Sequence, residues 1–187
     1  MSAESSTRHW PMARKTVLYI AASLDGYIAS DDGSIDWLVK YDSSASGYDE
    51  FISTIDTVVM GYATYRQLTE ELSVGVWPYE GLDAYVVSSR DHEKRKEVTF
   101  VKDPMKLVEE LKRKDGKTIW IVGGAKLAHS LFDAGLIDEL VLTIIPETIG
   151  KGIPLFPKTP MTLQTIQTRH YGPFVEITYA IKSTKQG

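Results

Sequence analysis

Short, β-branched apolar runs alternate with helix-period segments along the chain. Residues 16–22 (TVLYIAA) are nearly continuous in apolar character and predict a buried strand. Asp25-Gly26 turns the chain, residues 27–29 give a short apolar segment, and Asp31-Asp32-Gly33 turns it again. Residues 41–47 (YDSSASG) read as a polar loop, and 48–55 as one short helix with Phe51, Ile52 and Ile55 on one face. Residues 57–60 (TVVM) predict a second buried strand closed by Gly61, and 62–72 a helix with Tyr65, Leu68 and Leu72 on one side. Strands at 84–88 and 98–101 flank a charged loop at 90–97. Asp103-Pro104 opens a helix, because Asp accepts from free N–H groups and Pro suits the first helical position. Residues 118–122 (TIWIV) predict a central strand, followed by Gly123-Gly124 and a helix over 125–136. Residues 139–145 predict a strand, and 163–171 and 174–181 two more, joined as a hairpin by Gly172-Pro173.

This order predicts a single α/β domain with a mostly parallel central sheet, flanking helices and an antiparallel C-terminal hairpin. The domain is expected over 14–184, behind a polar N-terminal tail at 1–13. A length of 187 residues suits one domain. The net charge of −4 disfavours a nucleic-acid partner, since phosphate backbones need clustered positive charge. A cysteine count of 0 excludes disulfides, thiolate metal sites and cysteine nucleophiles, and fits a cytoplasmic setting. No apolar run approaches the roughly 18 residues of a membrane-spanning helix, and MSAESSTRHWP has no apolar stretch for a secretory signal. His9, His92, His129 and His170 lack metal-ligand spacing, so no metal is expected, and no serine sits in a G-x-S-x-G elbow.

Three short stretches carry candidate chemistry. Gly123-Gly124, between a buried strand and a helix, lets a phosphate approach the backbone and the free N–H groups behind it. Gly61 opens a helix whose first turn holds Thr64, and Ser88-Ser89-Arg90 puts two hydroxyls and a guanidinium at a strand end. Each alone reads equally as a turn, a cap or a polar loop, and neither G-x-G-x-x-G nor a P-loop is present. All three lie just beyond the C-terminal ends of predicted strands, where open α/β sheets bind ligands. Together they predict an extended, phosphate-bearing ligand.

With SLDGYIA (23–29), DGSIDW (32–37), VVMGYATY (58–65), VVSSR (86–90), the run from 119 to 146 and GKGIPLFP (150–157), the chain resembles the dihydrofolate reductase-like superfamily. It is most similar to the reductase domain of the bifunctional deaminase-reductase of riboflavin synthesis and to small stand-alone proteins built from that domain. The resemblance implies an NADPH-dependent reductase acting on a planar heterocycle, either a 5-amino-6-(5-phosphoribosylamino)uracil or a pterin. The alternative is a nucleotide-binding module of the same fold without turnover. By position, Ala22 and Ile28 meet the nicotinamide; Gly61, Thr64 and Tyr65 flank the diphosphate and ribose. Ser88, Ser89 and Arg90 hold the adenosine end, and Gly123, Gly124, Ala125, Lys126 and Leu127 cradle the diphosphate. Tyr62 stands where the folate enzymes usually carry a basic residue, leaving Arg90 as the substitute grip on a 2′-phosphate.

The catalytic side rests on three acids. Asp25, in SLDG, resembles the substrate-side aspartate of the riboflavin-type reductase, and equally suits a plain turn before Gly26. Asp36 replaces the proline of the folate enzymes' Pro-Trp pair; Trp37 remains as a ring contact, and Asp42 falls near the offset of their acid, or is a solvated loop residue. Asp25 and Asp36 are the expected catalytic residues, with Trp37 and Asp42 on the substrate side. The two C-terminal strands are expected to support a homodimer.

Overall fold

The computed structural model describes residues 13–41 and 46–182; all but the last residue of the expected tail at 1–13, the last two residues of the expected domain at 14–184, and Asp42 lie outside them. The strands are β1 (Thr16–Ser23), β2 (Tyr27–Ala29), β3 (Ile55–Gly61), β4 (Asp83–Val87), β5 (Thr99–Val101), β6 (Thr118–Gly123), β7 (Glu139–Ile145), β8 (Ile153–Pro154), β9 (Leu163–Tyr171) and β10 (Phe174–Ile181). The helices are α1 (Asp36–Val39), α2 (Tyr48–Ile52), α3 (Tyr62–Gln67), α4 (Pro104–Lys112) and α5 (Ala125–Asp133).

An eight-stranded sheet runs in the order β5-β4-β3-β6-β1-β7-β10-β9, and β2 pairs with β8 separately. The pairs from β5 through to β7 are parallel, whereas β10 runs antiparallel to both β7 and β9. The α/β sheet with its antiparallel C-terminal edge is therefore the expected one. β1 occupies the middle because both its faces are apolar: Val17, Leu18 and Ala22 are all buried.

On one face Leu18, Val59, Ile121 and Leu140 pack under α4 and α5, which present Leu107, Val108, Leu111, Leu127 and Leu131 at helical spacing. A fully buried leucine such as Leu131 contributes about 2 kcal/mol. The other face is aromatic. Trp120 stands edge-on to Phe51 and Tyr79, and Tyr19 stacks on Phe51 at 4.5 Å between centroids. Asp103 caps α4 by accepting from the Lys106 amide at 3.0 Å, as its Asp-Pro signature predicts.

Three helices are shorter than the apolar periodicity predicts. The segment expected over 48–55 stops at Ile52, because the Ser53 and Thr54 hydroxyls donate back to Glu50 O and Phe51 O at 2.6 and 2.7 Å. The helix expected over 62–72 changes hand-hold at Leu68. There a π turn (Leu68–Leu72) begins, with the Ser73 amide donating to Leu68 O, and the Thr69 hydroxyl donates to Tyr65 O at 3.0 Å. The helix expected to reach residue 136 ends at Asp133, two residues before Gly135, whose φ of +67° closes it. Among the described residues no helix is long and apolar enough to cross a membrane.

The edge of the sheet opposite the strand C-termini is closed by buried Arg14. Its guanidinium pairs with Asp56 and donates to Thr57 Oγ1 and to Lys117 O, each at 2.7 Å. Arg14→Met removes these bonds and leaves the Thr57 hydroxyl buried without its donor. Because Asp56 is partly solvated, the expected loss is about 2 kcal/mol, well below that of a sealed ion pair. It is read as a lower urea midpoint at unchanged m-value.

Candidate active site

The parallel register brings separate sequence stretches to one edge. Met60 pairs with Gly123 across β3 and β6, and Gly61 pairs with Val87 across β3 and β4, so Ser88 follows immediately on the same edge. A Cβ built on Gly61 would lie 3.8 Å from Gly123 O and Gly124 N, and one on Gly124 would lie 3.4 Å from Thr64 Oγ1. Gly61, Thr64, Gly123 and Gly124 thus face one another across a narrow gap that side chains would fill. Gly123 has a φ of +136°, which L side chains rarely adopt, and the Gly123–Gly124 peptide is cis. Gly124 is the N-cap of α5 and contributes no side-chain acceptor. The first intrahelical donor is Ala128, to Gly124 O at 3.0 Å, so the amides of Ala125, Lys126 and Leu127 have no partner within the helix. They and the helix dipole make the gap favourable for an anion.

Not every expected cofactor residue turns toward this gap. Leu127 is buried against the sheet, so only its amide is available there. Tyr65 is packed in the aromatic core and its hydroxyl donates to Glu97 at 3.0 Å, leaving Thr64 as the side chain of α3 beside the glycines. Ala22 is buried at the C-terminal end of β1, and half-buried Ile28 packs against the same cluster. Lys126, Ser89 and Arg90 are exposed.

Ser88 is buried and already engaged: its Oγ accepts from the Arg90 amide at 3.2 Å and lies 2.7 Å from His92 Nε2. The His92 ring stacks between Tyr62 and Phe100, with centroids 4.3 and 4.6 Å away. Tyr62 therefore builds an aromatic wall where the folate enzymes carry a basic residue. With Asp91, Glu93 and Arg95 this wall lines a cavity of about 270 Å³. The sequence marked His92 only as lacking metal spacing; its stacking partners are far apart in the chain.

Asp25 is exposed and acts as a latch. It accepts from Ser23 Oγ at 2.7 Å, Gly150 N at 2.8 Å and Ile149 N at 3.2 Å, tying the β1–β2 turn to the loop after β7. The Ser23 hydrogen bond first, then the two amides, hold its carboxyl below the ordinary 3.8. It is ionised at neutral pH and already receives three donors. A carboxyl with a lowered folded-state pKa contributes stability above its ordinary value and loses it as pH falls through the folded value. Protection of the Ile149 and Gly150 amides, relative to their intrinsic exchange rates, is therefore expected to fall selectively as pH drops below the ordinary carboxylate range. In Asp25→Asn the same two amides should exchange fast at neutral pH as well.

Asp36 is exposed in the first turn of α1. Trp37 is buried in a cluster with Ile145 and Phe174, against which Ala21 and Tyr171 pack, and among the described residues its Nε1–H has no hydrogen-bond partner. Unforeseen from sequence is Glu176, which is only 6% exposed. It accepts from Tyr19 Oη at 3.0 Å and Thr143 Oγ1 at 3.5 Å. Burial above all, then the Glu176 charge, pushes the Tyr19 phenol well above its ordinary range. A visible signal existed: Glu176 occupies the same strand phase as Phe174, an inward position. Among the described residues no group of three His, Asp or Glu side chains is arranged to hold a metal.

Known proteins share this architecture. The chain is 40% identical over 173 residues to the Bacillus subtilis (strain 168) protein YwjB, covering 90% of this chain and 98% of YwjB. It is 30% identical over 179 residues to YyaP of the same organism, covering 89% and 94%. A putative riboflavin biosynthesis protein from Shewanella sp. PV-4 superposes with a TM-score of 0.75 at 27% identity, covering 90% of this chain and 99% of that one. The family described as RibD C-terminal domain matches residues 14–176, nearly the whole of the described fold. On that match and on the relatives' near-complete coverage, the chain belongs to the RibD C-terminal domain family.

Proposed function

We propose that the chain is an NADPH-dependent reductase of a planar heterocycle, of the 5-amino-6-(5-phosphoribosylamino)uracil reductase type or acting on a pterin-like ring. The observation that carries this reading is the gap between Gly61 and Gly123-Gly124, which a Cβ on either side would narrow and which opens onto the uncapped α5 amides. A diphosphate suits that cradle by charge. Family membership and the likeness to the Shewanella protein support the reaction class.

The coenzyme supplies a hydride; the chain's part is to bind and orient it. The amides of Ala125, Lys126 and Leu127, with Thr64 and the three glycines, hold the diphosphate. Ser88, Ser89 and Arg90 face the adenosine end, and Arg90 takes the 2′-phosphate. Ala22 and Ile28 give the nicotinamide an apolar floor at the end of β1, which excludes water from the transferring hydrogen. Trp37 bounds the acceptor ring's side. Asp25, ionised and latched, positions the loop over the site, and exposed Asp36 is the acid placed to exchange a proton with solvent.

A homodimer is part of the same proposal. Gln164, Thr165, Ile166, Gln167 and Thr168 of β9 are all exposed, so neither face of this edge strand is covered within one chain.

The test is a fluorescence titration of the protein with NADPH and NADH. Saturable quenching of tryptophan emission by NADPH is expected. Absence of binding by both coenzymes at millimolar concentration removes the reading, and binding without oxidation of NADPH on a pterin and pyrimidine series favours the non-catalytic module.

A further inference from the structure

We infer that His92 reads the 2′-phosphate of the coenzyme and so sets the preference for NADPH over NADH. This deepens the coenzyme half of the proposal above and rests on it.

The order of the strands gives the direction in which the coenzyme lies. Across the site the strands run β4-β3-β6-β1. Ala22 lies near the end of β1, on one side of the gap between Gly61 and Gly124. Ser88 lies on the other side, about one strand spacing from Gly61, because it follows Val87, the partner of Gly61. A dinucleotide with its diphosphate in the gap and its nicotinamide over β1 therefore lays its adenosine ribose over β4. The ribose joins the diphosphate directly, so its 2′ substituent falls within reach of Ser88 and of the side chain that Ser88 holds.

That side chain is an imidazole held on three sides. His92 Nε2 lies 2.7 Å from Ser88 Oγ, and the ring is stacked by Tyr62 and Phe100 at interplanar angles of 29° and 26°. Tyr62 follows Gly61 as the first residue of α3, so the stack stands against the gap itself. Ser88 Oγ accepts from the Arg90 amide at 3.2 Å, which leaves its own hydrogen for His92 Nε2. The ring hydrogen then sits on Nδ1, and a charged ring carries one there as well. Among the described residues Nδ1 has no hydrogen-bond partner. A donor on a ring covered on both faces loses little freedom when a ligand arrives. Tyr62, in place of a basic residue, is thus the platform for a different donor.

The charge around this donor suits a phosphate. His92 lines the cavity of about 270 Å³ together with Arg95, Asp91 and Glu93. In a chain of net charge −4, the loop 90–97 carries four cations, Arg90, Lys94, Arg95 and Lys96, against three acids. Two of those acids are engaged: Asp91 pairs with Lys102 at 2.8 Å, and Glu97 accepts from Tyr65 Oη at 3.0 Å. The four cations are exposed, and among the described residues none of them forms an ion pair. These long side chains attract an anion without fixing where it sits, whereas His92 offers one fixed contact. A neutral 2′-hydroxyl gains little from either, so the pair of effects discriminates between the two coenzymes.

The test compares 2′,5′-ADP with 5′-AMP, which differ only in the 2′-phosphate and carry neither a diphosphate nor a nicotinamide. Each is titrated calorimetrically into the full chain, wild type and His92→Phe, a change that keeps a flat ring between Tyr62 and Phe100 but removes the N–H. Wild type should bind 2′,5′-ADP at least about tenfold more tightly than 5′-AMP, as a hydrogen bond to a charged acceptor requires. His92→Phe should lower that ratio about tenfold, with the loss falling on 2′,5′-ADP. His92→Gln, which keeps a donor but not the stack, should give an intermediate ratio, and it decides if His92→Phe does not fold. Equal wild-type affinities, no binding of 2′,5′-ADP, or an undiminished ratio in the folded variant overturns the assignment. A ratio lost in His92→Phe, while NADPH stays unoxidised with every pterin and pyrimidine tried, sustains the contact and strikes only the reductase step.

Discussion

Gly152→Ala is expected to destabilise the fold by about 3 kcal/mol, lowering Tm by roughly 6–12 °C. A Cβ on Gly152 would stand 2.2 Å from the carbonyl oxygen of Ala29 and 3.1 Å from Ile149 Cδ1. The first of these is backbone and has little freedom to move, because Ala29 pairs with Ile153 in the β2–β8 sheet and Leu155 donates to Gly26 O at 3.0 Å. Relief requires separating β2 from β8, which releases the turn that Asp25 latches from the other side. Gly150→Ala is the matched control. Gly150 has a φ of +77° but no atom within 4 Å of its Cβ position, so only backbone strain of about 1 kcal/mol is expected. Calorimetric scans of the two variants check the contrast; equal Tm losses would show that the contact at Ala29 yields easily.

Gly61→Val is expected to abolish NADPH binding, by at least about a hundredfold, while leaving Tm nearly unchanged. Gly61 sits at φ −74° and ψ 157°, extended backbone in which valine is at ease. Its Cβ position has only ordinary contacts, 3.8 Å from Gly123 O and Gly124 N, so the folded chain accepts the substitution. The added methyl groups enter the gap through which a diphosphate must reach the α5 amides. Gly61→Ala, with one carbon, should weaken binding far less. Coenzyme titration of the three proteins by fluorescence gives the ranking, and unimpaired binding in Gly61→Val would show that the diphosphate lies elsewhere.

Much of this was legible in the sequence for reasons that can be named. β7, β9 and β10 begin and end where the apolar runs and the Gly172-Pro173 turn place them. The meeting of Gly61, Ser88 and Gly124 followed from parallel strands, which deliver all their C-termini to one edge. α1 and β8 were not legible, because four and two residues are too few to show a period. Tyr65 and Leu127 were assigned to the site by adjacency to its motifs, but helical phase turns both inward. Glu176 shares the inward strand phase of Phe174, so its burial was readable, but its hydrogen-bond partners Tyr19 and Thr143 are distant in the chain and assembled only by register.

The position of β1 has a consequence for synthesis. Thr16 pairs with Ile119, and Val17 with Glu139, so β1 is made long before either of its two neighbours in the sheet. On the ribosome, β3, α3 and β4 can associate early, while β1 waits as an apolar ribbon for more than half the chain. Such long-range closure slows folding and lengthens the exposure of sticky surface. Nascent chains stalled before residue 119 should therefore be protease-sensitive and chaperone-bound, and those that have exposed β7 outside the exit tunnel should become compact in a single late step.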